Sequence, residues 1–286
     1  MMSVSKWINK NTVSLCGKTV AISGSTGGLG RELCVHLAAL GASLILLDRN
    51  MAKSHALADE LRARFPELSV SHIKVDMESI NEVKEAAATL KEQTVDYLIL
   101  NAGAYSIPRH RCESGFDNVF QINFVSPYYL ARALLRDIRA RGGRVVAVGS
   151  IAHGYSKTDP DDVDFSTRKK ASLVYGNAKR YLMFSLLSLD GVTIAHPGIT
   201  FTGITSHYPR LIFALIKHPM KLIFMKPRKA CLSVIRGLFE DCGENEWIGP
   251  AIFGIWGYPK KQKLRRLSGD ETEYVCRTAQ RIYEEI

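Results

Sequence analysis

The chain has 286 residues, 46% of them hydrophobic and 23% charged, and a formal net charge of +10. This is ordinary globular composition, long enough for one large α/β domain or two small ones. Six scattered cysteines without a Cys-x-x-Cys pair argue against a zinc site or disulfide framework, and no uncharged apolar run approaches the ~20 residues that span a bilayer.

Residues 1–16 lack the continuous apolar core of a secretory signal and read as an N-terminal extension of a domain over 17–286. Free thiols suit a reducing compartment, so a cytoplasmic location is expected. The apolar run after Gly17 passes through Ser23 into a turn holding Gly24, Gly28 and Gly30, then into an amphipathic helix. This is a phosphate cradle: the glycines let backbone amides approach an anion, and the helix start adds unpaired N–H groups and positive dipole. A dinucleotide pyrophosphate fits it, although the Gly-x-x-x-Gly-x-Gly spacing differs from the common Gly-x-Gly-x-x-Gly fingerprint.

The second apolar run, 42–47, ends in Asp48-Arg49-Asn50, with Asp48 placed 24 positions after Gly24. A carboxylate there can accept from the adenosine ribose hydroxyls and would repel a 2′-phosphate. Arg49 could instead grip that phosphate, so NAD(H) is preferred and NADP(H) is the alternative. Helical spacing follows over 51–65, a strand over 70–76, a helix over 79–92 and a strand over 95–100. Asp76 closes the third strand, where it could meet the adenine amino group or cap the next helix. Asn101-Ala102-Gly103 follows the fourth strand, its small residues letting backbone pass close to a ribose. Thr26, Leu29 and Met77 complete the expected cofactor contacts on this side.

A helix over 116–139 is stopped by Gly142-Gly143, a strand over 144–148 ends just before Ser150, a helix covers 173–189, and a strand over 192–196 leads into Pro197-Gly198. Alternating strands and helices imply a single-domain Rossmann fold, a doubly wound parallel sheet with helices on both faces and ligands at the carboxyl ends of the strands. Tyr175 and Lys179 lie four apart, on one helix face. A tyrosine can give or take a proton if its pKa of about 10 is drawn toward neutrality, and Lys179 supplies a charge favouring phenolate. Ser150 would hold the substrate oxygen by hydrogen bond.

Ser23-Gly24-x-x-x-Gly28-x-Gly30, Asn101-Ala102-Gly103, Asn123, Ser150, Tyr175-x-x-x-Lys179 and Pro197-Gly198 together resemble the short-chain dehydrogenase/reductase family over residues 17–203. The resemblance implies that Tyr175 is the general acid/base and that Lys179 lowers its pKa and bonds the nicotinamide ribose. It also implies that Ser150 orients the substrate, that Asn123 holds a water linking Lys179 to solvent, and that Thr202 contacts the carboxamide. Ser23 replaces the family's usual Thr, and Leu100 the first Asn of Asn-Asn-Ala-Gly. The insertion 153–172, rich in acids, resembles that of the retinol- and steroid-dehydrogenase-like branch and reads as a solvated flap or a substrate-entrance loop. A homo-oligomer is expected, altered by the short distance from Lys179 to Pro197.

The resemblance places the substrate lid at about 199–229, where apolar runs at 211–216 and 222–225 suit a bulky hydrophobic substrate. A hydroxysteroid is the leading candidate, with retinoid or long-chain alcohols second and a non-catalytic NAD(P)-sensing protein as the alternative outside enzymology. The cations cluster between 207 and 229 and between 258 and 267; a solvated basic face is expected there, not nucleic acid, and membrane-surface contact is the weaker alternative.

Overall fold

The computed structural model describes residues 2–200, 225–243 and 245–286. Helix α1 (Val4–Asn11) lies ahead of six strands placed where the apolar runs predict them: β1 (Thr19–Ser23), β2 (Ser43–Asp48), β3 (Val70–Lys74), β4 (Tyr97–Leu100), β5 (Arg144–Val148) and β6 (Val192–Ala195). They alternate with α2 (Gly28–Ala39), α3 (Met51–Arg64), α4 (Ile80–Lys91), the short α5 (Asn118–Phe120), α6 (Ser126–Ala140) and α7 (Ala171–Leu187). Two short helices, α8 (Pro227–Ala230) and α9 (Leu232–Gly237), then precede β7 (Glu246–Ile252), β8 (Trp256–Lys263) and α10 (Gly269–Glu285).

The strands form one sheet in the order β3-β2-β1-β4-β5-β6-β7-β8, parallel except for the antiparallel β8. Strand side chains alternate between faces, and both faces are covered. Val20, Ile22, Leu44, Leu46, Ile99 and Val146 pack with α2, α3 and α9, while Ala21, Ile45, Leu47, Leu98, Val145 and Ala147 pack with α4, α6, α7 and α10. Burial on both faces is why these strands read as continuous apolar runs.

The hairpin of β7 and β8 departs from the sequence expectation, which ends its strands at β6. Gly249 and Pro250 interrupt β7, and Lys260, Lys261 and Lys263 fill β8, so neither carries an apolar run. Lysines and prolines are characteristic of an exposed sheet edge. The extension is also more structured than its isolated apolar positions suggest. Ser3 caps α1, Trp7 and Ile8 are buried against Leu232, and Trp7 stacks on Tyr258 at 6.2 Å between ring centroids. All six cysteines are free. Among the described residues no helix is long and apolar enough to cross a membrane.

The helix expected over 116–139 is not continuous. Between α5 and α6 the chain forms a π-helical turn, Gln121–Val125, with Asn123 at its centre. Such turns concentrate at functional sites.

Candidate active site

The glycine turn is built by close backbone contact. A Cβ on Gly24, whose φ is +67°, would lie 2.9 Å from the Cα of Ala102, and a Cβ on Gly30 would lie 2.2 Å from the Gly24 carbonyl oxygen. Ser23 stitches the ends of β1 and β4: its hydroxyl accepts from the backbone N–H of Asn101 at 3.1 Å and of Ala102 at 3.0 Å. Asn101 Nδ2 returns bonds to the carbonyls of Ser23 and Gly24 at 3.0 and 2.9 Å. The Ser-for-Thr exchange therefore keeps the function of the hydroxyl, which lies in holding the turn. Gly28, Leu29 and Gly30 begin α2 with its N–H groups facing the cleft, and Thr26 lines the same wall.

Asp48 corrects the sequence reading. It edges the cleft but is only 3% exposed. Its carboxylate accepts from the Ser25 and Ser54 hydroxyls and from the Thr26 amide. The oxygens expected to meet a ribose are thus turned inward to brace the glycine turn. Arg49 is left 69% exposed at the rim, its guanidinium 3.9 Å from Asp76. Asp76 does not cap α4, because Ser79 does so through the Glu82 amide. Asp76 accepts instead from the Glu78 amide at 3.0 Å and keeps part of its carboxylate toward the cleft, beside Met77.

At the other end, Ser150 sits at the start of a 3₁₀ turn, Ile151–Gly154, and its Oγ accepts from the Ala152 amide at 3.2 Å. The turn lies directly against α7: a Cβ on Gly176 would fall 2.4 Å from the Ala152 carbonyl oxygen. Backbone contact of this kind brings Tyr175, one residue earlier, beside Ser150, close enough for the serine hydroxyl to influence the phenol. Tyr105 packs edge-on against the Tyr175 ring at 5.4 Å. Lys179 is buried, donates to the Val148 carbonyl at 3.0 Å, and lies 5.8 Å from the centre of the Tyr175 ring.

The titration of this pair differs from expectation. Burial pushes the Tyr175 phenol up to about 12, with the Ser150 hydroxyl opposing it, and burial draws the Lys179 ammonium down to about 8. Desolvation outweighs the opposing Ser150 hydroxyl, and Tyr175 is held protonated. Asn123 also differs in detail. Its side chain donates to the carbonyls of Ala104 and Val119, both at 2.8 Å, and accepts from the Ala104 amide at 3.3 Å. The side-chain amide is thus committed to the backbone on either side of it. Pro197 and Gly198 line the cleft, and Gly198 adopts φ +81° with the Ile255 carbonyl 2.7 Å from where its Cβ would be. Thr202 and most of the expected lid lie outside the described residues.

Of the site residues expected from sequence, all those among the described residues except Ser23 and Asn123 line one cleft of about 1290 Å³, whose outer part is walled by Tyr105, Ile107, Ile151 and Tyr155. Ser23 and Asn123 stand behind it as supports. The close glycines, the exposed helix start and the ionisable pair at the far end fit a nicotinamide dinucleotide lying across the strand ends. Residues 18–159 match the family model described as short chain dehydrogenase. A Streptomyces protein provisionally named daunorubicin C-13 ketoreductase is 30% identical over 66% of this chain and 68% of its own length. The chain belongs to the short-chain dehydrogenase/reductase family.

Within that family, human retinol dehydrogenase 13 is 31% identical over 67% of this chain, and the chain spans 61% of that protein's length. An uncharacterized protein from Mycobacterium paratuberculosis shares the fold at a TM-score of 0.71 and 22% identity, over 96% of this chain and 95% of the other. Family members bind a nicotinamide dinucleotide.

Several features escaped the sequence reading because they depend on tertiary packing. His196 is buried, stacked 5.1 Å from Trp247, and drawn down to about 4 by burial, so it lines the cleft as a neutral ring. The insertion 153–172, exposed along much of its length, is anchored at its middle: Asp162 and Asp164 are buried, accepting from Thr167 and from the Asp117 amide. At the adenosine rim Glu78, His110 and Cys112 gather donor atoms within 4.8 Å, where sequence spacing suggests no metal site. Asn118 Nδ2 faces His110 Nδ1 at 3.1 Å, which leaves the ring proton on Nε2, 3.0 Å from Glu78.

Proposed function

We propose that this protein is a nicotinamide-dependent oxidoreductase interconverting a bulky apolar carbonyl compound and its alcohol, in the direction of carbonyl reduction. The observation that carries the reading is the meeting of Ser150, Tyr175 and buried Lys179 at the inner end of one cleft. A bound nicotinamide would supply the hydride. Ser150 holds the substrate oxygen, and Tyr175 Oη gives it a proton as negative charge develops there. A phenol held near 12 carries its proton at neutral pH, so the free protein is loaded with the proton that reduction needs and holds little phenolate.

The sign of the pH dependence follows. Tyr175 carries its proton throughout the neutral range, and Lys179 is charged below about 8. Reductive turnover should therefore hold level up to about pH 8 and fall above it, where Lys179 no longer has a proton to return to the phenol, while alcohol oxidation should climb through the same interval as the neutral amine can take the phenol's proton. Initial rates in both directions across a pH series check this; a reduction rate that rises on passing pH 8 contradicts it.

For the cofactor we infer NADP(H), against the NAD(H) preference drawn from Asp48 alone. With that carboxylate braced by Ser25, Thr26 and Ser54, little acceptor capacity is left for a ribose hydroxyl, and exposed Arg49 with neighbouring Lys53 offers cations to a 2′-phosphate. Arg49→Ala should raise the KM for NADPH about tenfold, losing roughly 1.4 kcal/mol, and leave that for NADH within about twofold. Equal effects on both cofactors would count against the inference.

For the substrate, the apolar wall of Tyr105, Ile107, Ile151 and Tyr155 suits retinoids and keto-steroids alike. The relatives' names, a retinol dehydrogenase and a daunorubicin ketoreductase, add support for a bulky apolar ligand and move retinoids level with the hydroxysteroid expectation. A homo-oligomer and a cytoplasmic location remain part of the reading, tested by sedimentation and by imaging of the tagged chain.

A further inference from the structure

Directly after the catalytic lysine stands Arg180, whose guanidinium is buried between three elements. Its Nε and Nη2 donate to the two carboxylate oxygens of Glu271 at 2.8 and 2.7 Å, a bidentate pair with side chains only 10% and 16% exposed. Its Nη1 donates to the carbonyl of His153 at 2.9 Å. Glu271 Oε1 also accepts from the amide and hydroxyl of Thr158, at 3.1 and 3.0 Å. His153 in turn directs Nδ1 to the carbonyl of Ser150 at 2.7 Å, so a chain of bonds runs from Glu271 through Arg180 and His153 to Ser150.

We propose that Glu271 and Arg180 are positioning residues that set the distance between the Ser150 and Tyr175 hydroxyls. Arg180 rides on α7, the helix carrying Tyr175 and Lys179, and grips the turn that carries Ser150. Glu271, in the first turn of α10, orients the guanidinium and ties down the chain that leaves the same turn, through Thr158. The fork geometry matters, because a lysine could satisfy one of these partners and not all of them. The C-terminal helix thereby belongs to the working site although it does not line the cleft.

The inference rests on the proposed roles of Tyr175 and Ser150, so its test carries two readouts. In Glu271→Gln and Arg180→Lys, kcat should fall about 10- to 100-fold, as expected when reacting groups are misplaced by about 1 Å. KM and NADPH affinity should each stay within about threefold, because neither residue lines the cleft. The second readout needs no turnover or cofactor: the titration of Tyr175 in the free protein, followed by NMR of tyrosines carbon-13 labelled at Cζ and assigned by loss of the signal in Tyr175→Phe. In both variants the midpoint should move down by at least about half a unit, as the loosened turn admits water to the phenol. Asp270→Asn, an exposed neighbour on the same helix turn, should move nothing. Unchanged kcat per folded molecule, or an unmoved Tyr175 titration with only a lower melting temperature, overturns the proposal. A wild-type protein without turnover would refute the proposed reaction, and the titration would still decide the role of the clamp.

Discussion

Tyr175→Phe is expected to lower carbonyl reduction by about 10²- to 10⁴-fold, the contribution of a positioned general acid. The change deletes one oxygen and leaves the ring edge-on to Tyr105, so packing around it is kept. The lost atom is the proposed proton donor, beside the Ser150 hydroxyl. Cofactor contacts at the glycine turn and the Arg49 rim lie at the far end of the cleft, so the dissociation constant for NADPH should change by less than about twofold. Loss of turnover with retained binding isolates proton transfer from cofactor affinity. Parallel loss of both would mean that Tyr175 supports the cleft's shape and not its chemistry.

Gly30→Val should abolish nucleotide binding by a different route. Even a methyl group at this position would lie 2.2 Å from the Gly24 carbonyl oxygen and 2.7 Å from that of Ser25. These are backbone atoms that no rotamer change can move, so the turn itself must open. Ser25 would then shift away from Asp48, and the amides at the start of α2 would lose their alignment on the pyrophosphate. Affinity for NADPH should weaken at least about 100-fold, near 2.7 kcal/mol, and stability should fall by about 1–3 kcal/mol as in other overpacked sites. Gly154→Ala is the control, since nothing lies within 4 Å of its added methyl. Fluorescence titration with NADPH, paired with thermal melts, separates the two effects. Near-normal binding by Gly30→Val would mean that the nucleotide does not lie on this turn.

The parts of this molecule legible in its sequence are those set by local periodicity. Strands β1, β2, β4, β5 and β6 are buried on both faces and show as apolar runs, and Tyr175 with Lys179 shows as a four-residue spacing on one helix. What could not be read depends on where side chains turn after folding. Asp48 stands at the expected strand end, yet whether it faces a ribose or Ser25 and Ser54 is decided by its χ angles and by a serine in α3. The sign of the Tyr175 shift was equally hidden, because desolvation depends on the 3₁₀ turn and Tyr105 packed around it. The π-helical turn at Asn123 has no distinct periodicity over five residues, and the lysine-rich edge strand β8 carries the pattern of a solvated loop. Arg180 looked like one cation among many, since its partner Glu271 lies 91 positions further along the chain.

Two hydroxyls in one cleft, backed by a buried lysine, are proposed to serve hydride transfer to a carbonyl. The assay closest to that chemistry is the loss of reduced-nicotinamide absorbance when the purified protein is mixed with NADPH and, in turn, with retinal, keto-steroids and long-chain ketones. Turnover of at least one of these apolar carbonyl compounds is expected, absent in both Tyr175→Phe and Ser150→Ala. Tight NADPH binding with no oxidation by any of them, or full activity in the Tyr175 variant, would contradict it.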